Sequence, residues 1–139
     1  MSETDPSLRF RPLWLAAGWV LVAAILWLSL TPRAPEPFKF HFADKVEHFV
    51  AYLAVMGWFA QIHFRRTARR HYALAFLAMG VAVEFLQALE ATRYFELADM
   101  LADGLGIGVA LLLARTPLQH TLRMLEKVLP GAESRRDIR

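Results

Sequence analysis

Asp44, Lys45, Glu47 and His48 crowd the start of the stretch DKVEHFVAYL, and Tyr52 follows one turn later. On a helix Asp44, His48 and Tyr52 stand at i, i+4 and i+8 and share a face. Glu84 and Gln87, at i and i+3, define a second polar face, and Asp99 and Asp103, at i and i+4, a third. Arg93 lies between the last two pairs. An imidazole among carboxylates is equipment for proton transfer, with His48 as general acid or base, oriented by Asp44 or Asp99, and Glu84 as a partner of raised pKa. Lys45 and Arg93 are suited to phosphate or carboxylate. Glu84, Gln87 and Asp99 are suited to hydroxyls and amides. No serine or cysteine joins the set, so covalent chemistry would fall to a carboxylate or to His48. The spacing of His48 and the acids matches no metal motif. The chain has no cysteine, which removes thiolate sites and disulfides. Neither a metal nor another cofactor is expected.

The elements that carry these groups are strongly apolar. The 139 residues are 56% hydrophobic with a mean hydropathy of +0.31, the composition of a membrane protein rather than a soluble domain. Residues 12–30, PLWLAAGWVLVAAILWLSL, contain no charge in 19 residues, about 28 Å of helix against a hydrocarbon core of about 30 Å. That run exceeds the apolar core of a cleaved leader and no A-x-A site follows, so it reads as a retained span ending at Thr31-Pro32. Further spans are expected over 48–64, 71–89 and 97–114. The fold class is therefore all-α, a polytopic four-helix transmembrane bundle, because helices satisfy every backbone group in lipid.

Basic residues set the expected orientation. Arg9, Arg11, the Arg65-Arg66-Arg69-Arg70 run and the tail after residue 114 hold twelve of the 16 lysines and arginines. The opposite side has Arg33, Lys39, Lys45 and Arg93. Both termini are expected in the cytoplasm. Three segments follow: residues 1–11, the four-span domain 12–114, and the tail 115–139. In the tail PLQHTLRMLEKVL puts Leu118, Leu122, Leu125 and Leu129 at helical spacing, an amphipathic helix on the membrane surface, with GAESRRDIR disordered beyond it. The net charge of +3 is spent on topology, and nucleic acid is not an expected partner; membrane lipids are.

This topology brings Asp44, Lys45, His48, Glu84, Gln87, Arg93, Asp99 and Asp103 to one end of the bundle, where Gly104, Gly106, Gly108 and Ala110 allow close helix approach. The ordered set D44-K-x-x-H48-F-x-x-Y52, E84-x-x-Q87, R93 and D99-x-x-x-D103-x-x-G106, with Ser29-x-x-Pro32 ahead of it, resembles the VanZ-like family over residues 12–114. Asp103 stands where that family usually has Asn, and Ala110 where Gly is common. The resemblance implies a bacterial inner-membrane protein of the cell envelope with a link to glycopeptide response; it does not imply a reaction.

Burial of charge in a membrane costs roughly 2.5–3.5 kcal/mol per group at its centre, so the cluster needs a use or a compensating network. The favoured expectation is a site binding an anionic or polar headgroup-bearing molecule, such as an envelope precursor or glycolipid. The alternatives are an acid/base enzyme acting on such a lipid, with His48, Glu84 and Asp99 as its catalytic candidates, a proton-coupled carrier titrating at Glu84, and a network that only pins helices. His41, His63, His71 and His120 read as interfacial.

Overall fold

A computed structural model describes residues 8–31, 42–90 and 95–129. Arg93, His41 and the tail beyond 129 lie outside the described residues. The described elements are all helical: α1 (Arg11–Leu30), α2 (Ala43–Ile62), α3 (Arg66–Ala88), α4 (Leu97–Leu113), a 3-10 turn (Pro117–His120) and α5 (Thr121–Val128). Each boundary has a local cause. Pro12 in the first turn of α1 pre-sets a helical φ where its missing N–H is harmless. At the other end Thr31 is extended, φ −84° and ψ 121°, as the residue before Pro32 must be. Only residues 63–65 separate α2 from α3, which makes them antiparallel neighbours. Pro117 opens the 3-10 turn, and the Thr116 hydroxyl accepts from the Leu118 N–H at 3.3 Å.

Helix α2 is the centre of the bundle and touches each of the other long helices, α4 most extensively. Its Tyr52, Val55, Met56 and Phe59 are buried against Phe76 of α3 and Ile107 and Ala110 of α4. Phe59 stacks on Tyr72, ring centroids 4.6 Å apart. The α2–α4 contact is close because of Gly106: a Cβ there would overlap the Phe49 carbonyl and come within 2.9 Å of the Leu53 nitrogen. Backbone meets backbone at that point, which only glycine permits.

Among the described residues two helices, α1 and α3, are long and apolar enough to cross a bilayer, and α4 with the segment after it would make a third only as one span bent by 82°. Four straight spans, the expectation from hydropathy, are therefore not supported. The reason is physical: α2 carries Asp44, Lys45 and Glu47 in its opening turns, and α4 has 17 residues, about 26 Å. The outward surface is nonetheless apolar, with Trp19, Trp27, Leu74, Phe85, Leu101, Leu105 and Leu112 all exposed.

The tail helix is present but turned relative to the expected leucine stripe. Leu122 packs with Leu8 and Ile62, whereas Leu118 and Leu125 face outward. The second buried residue of α5 is Glu126. Its carboxylate accepts from the backbone N–H of Arg9 and of Phe10, both at 2.8 Å, and from Trp14 Nε1 at 2.6 Å. Phe10 precedes α1 and offers no cap of its own, so a distant glutamate satisfies the free N–H groups at the start of that helix. Nearby, the Arg69 guanidinium donates to the carbonyls of Ala60, His63 and Ala114 and to Gln119 Oε1 at 2.7–3.1 Å. One side chain ties the ends of α2 and α4 to the 3-10 turn.

Candidate functional site

The polar residues gather where α2 and α4 begin and α3 ends. Asp99 lies in the first turn of α4, where the helix dipole favours a carboxylate. One turn deeper Asp103 is only 2% exposed. Its Oδ1 sits 2.9 Å from His48 Nδ1. With Nδ1–H donating to that carboxylate, Nε2 is left as the basic nitrogen. Nε2 is 3.8 Å from Asp99 Oδ2, too far for a direct hydrogen bond; a hydroxyl or amine beside the pair, not between the two atoms, could bond both. The residue that orients His48 is thus Asp103, not Asp44 or Asp99.

Gly80 of α3 makes room for this pair. A Cβ on Gly80 would overlap Asp103 Oδ2 and lie 3.2 Å from the Tyr52 hydroxyl. The Tyr52 hydroxyl and the Asp103 carboxylate therefore flank the same glycine, and Tyr52 forms the floor. Below it the described core is apolar, with Val55, Met56 and Ile107 next in line. The polar side chains of the cluster end at Tyr52.

At the mouth the ammonium of Lys45 bonds Asp44 Oδ2 at 2.6 Å and Asp99 Oδ1 at 2.9 Å, and also the Glu96 carboxylate. Asp44, Glu96 and Asp99 each place an oxygen within 4.8 Å of the others, a spacing that would suit a metal ion. Lys45 is bonded to all three carboxylates, so the cation there is the protein's own. Asp44 and Glu96 are about half exposed, so these ion pairs are worth little individually; they occupy Lys45 more than they stabilise the fold.

Two expected site residues have structural partners. Glu84, 2% exposed, accepts a hydrogen bond from the backbone N–H of Glu96 and so caps α4 from α3. Gln87 donates to the Ser29 carbonyl at 2.7 Å, joining α3 to α1. The structure brings together Asp44, Lys45, His48, Tyr52, Asp99 and Asp103, with Glu84 at their edge. Glu96 belongs to the cluster and was not anticipated, although Glu96-x-x-Asp99 at a helix start was a readable i, i+3 pair.

No protein-family model and no solved structure matches the chain. A curated relative does: "Uncharacterized protein C11E3.10" of Schizosaccharomyces pombe is 32% identical over 117 residues, which cover 82% of this chain and 68% of the relative. That relative belongs to a eukaryote, and this overturns the expectation of a bacterial inner membrane as the location. The chain belongs to the same family as the uncharacterized protein C11E3.10 of Schizosaccharomyces pombe.

Proposed function

We propose that the polar cluster at the start of α2 and α4 binds the polar headgroup of a membrane lipid or glycolipid, with His48 Nε2 and Asp99 as the contacting groups. The observation that carries this reading is an imidazole fixed by buried Asp103 with a second carboxylate oxygen, Asp99 Oδ2, 3.8 Å from its other nitrogen, a pair that one hydroxyl or amine could bridge from the side. Fixing a ring by a second-nitrogen hydrogen bond lowers the entropy lost on binding. Lys45 already has three carboxylate partners, so a headgroup with hydroxyls or an amine suits the cluster better than an anionic one. In this reading all four long helices are membrane-embedded, α2 and α4 carrying their polar faces inward. The ordered match of D44-K-x-x-H48, E84-x-x-Q87 and D99-x-x-x-D103 to the VanZ-like pattern supports a role shared with that family.

The Asp103–His48 pair also favours a second reading. A buried carboxylate holding Nδ1 and leaving Nε2 as the basic nitrogen is the arrangement of a general base in hydrolytic and transfer enzymes. The end of the polar side chains at Tyr52 weighs against a carrier, which needs access from both sides.

Lipids that co-purify in mild detergent with the wild type and with His48→Ala test both readings. A polar lipid enriched on the wild type and lost from a folded His48→Ala protein is the expected result. A His48-dependent product from a labelled lipid extract would select the enzyme. Identical lipid profiles on the two proteins would reject the site.

A further inference from the structure

At the end of the bundle opposite His48, the outer side of the α2–α4 pair carries a groove of about 350 Å³. That volume is typical of a small-ligand site. Its floor is made of small residues, among them Ala54, Gly57 and Ala110, with Leu53 at the end far from the turn and Leu113 beside the turn. A Cβ built on Gly57 meets nothing within 4 Å. Polar atoms appear only at the foot, where Gln61, Gln119 and Thr121 line it. The chain turns by 82° there into the 3-10 turn and α5, which lie across the foot. Apolar depth and a polar foot are the two halves of an amphiphile.

Charge and apolar surface continue the pattern. Arg115, in the turn that leads out of α4, and Arg123 and Lys127 of α5 are all exposed. The outward side of α5 also shows Met124 and Val128. A basic helix with apolar side chains beside its cations lies in the surface of an anionic bilayer. We propose that this groove takes one acyl chain of an anionic phospholipid, whose phosphate rests on Arg115 and Arg123. A helix from a second copy fits less well. α5 and the 3-10 turn lie across the foot and would meet the end of a helix laid along α2 and α4.

Native mass spectrometry of the delipidated full chain in detergent tests the proposal, with dioleoyl phosphatidylglycerol against dioleoyl phosphatidylcholine as probes. The wild type is expected to retain the anionic lipid preferentially. Arg115→Gln with Arg123→Gln should weaken it roughly 30-fold and erase the preference. Gly57→Leu, or Ala54→Leu as a second filling variant, should abolish retention of both lipids with no drop in thermal stability. Retention unchanged in both filling variants would overturn the proposal, as would equal retention of the two lipids by the wild type. Competition by soluble glycerophosphoglycerol at lipid-like concentrations would reassign the site to free phosphate esters. A wild-type dimer dissociated by Gly57→Leu would reassign the groove to a second copy.

Discussion

Glu126→Gln probes the contact that holds α5 to the start of α1. Both the Phe10 N–H and Trp14 Nε1 donate to the same oxygen, Oε1. The Arg9 N–H donates to Oε2. A glutamine can keep its oxygen at the first position, but its NH₂ then faces the Arg9 N–H, donor against donor. The loss is one hydrogen bond to a charged acceptor, about 1.5–3 kcal/mol, together with the carboxylate's favourable position at a helix N-terminus, about 0.3–1 kcal/mol. Some relief from water at the helix end brings the expected cost to roughly 2–3 kcal/mol. For a chain of this length that is a fall of roughly 6–12 °C in thermal midpoint. The effect should depend on pH. Burial alone would raise the Glu126 carboxyl, yet hydrogen bonds from Phe10, Trp14 and Arg9 outweigh it and hold the pKa below its usual value. A depressed carboxylate contributes stability that is present above the unfolded pKa, about 4.3, and is lost as pH falls through the folded value. The gap between wild type and Glu126→Gln should be complete above about pH 5 and close progressively below about pH 4. Circular dichroism melts in one detergent at several pH values provide the assay. Equal midpoints near pH 7, or a gap of constant size into acid, would refute the reasoning.

Other substitutions give sharper structural tests. Gly106→Ala drives a methyl into the Phe49 carbonyl and towards the Leu53 nitrogen; with only backbone to yield, a loss of about 1–3 kcal/mol or more is expected in the same melts. Gly80→Ala meets a movable carboxylate instead, so it should cost less stability but displace Asp103 and remove the lipid selectively retained by the wild type. Arg69→Gln leaves the carbonyls of Ala60, His63 and Ala114 without their shared donor. A loss of roughly 2–4 kcal/mol should follow, with faster hydrogen exchange where α2 ends and the 3-10 turn begins.

The polar cluster was legible because residue spacing fixes faces. Asp44 and His48 on α2, and Asp99 and Asp103 on α4, had to line up along their helices. Which acid holds the imidazole was not legible. That depends on how deeply α2 and α4 interpenetrate, and the depth is set by Gly106 against the backbone of Phe49. Glu84 and Gln87 looked like ligands for the same reason that the others did, yet their partners are the N–H of Glu96 and the carbonyl of Ser29. Helix ends present unpaired backbone groups, and nothing in local spacing reveals which distant side chain will meet them. Glu126 is the clearest case, since its partners lie more than 110 residues away. The hydropathy reading found the long helices but treated α2 and α4 as equal to α1 and α3. Average hydropathy does not distinguish a lipid-facing helix from a central one whose polar face is turned inward.

Nitrogen NMR of the protein labelled at its five histidines, with His48 assigned by its disappearance in His48→Gln, tests the heart of this account. A His48 ring protonated at Nδ1 near neutral pH, hydrogen-bonded there, and altered by Asp103→Asn is the predicted result. A His48 ring averaging both tautomers like an exposed imidazole, and indifferent to Asp103→Asn, would contradict it.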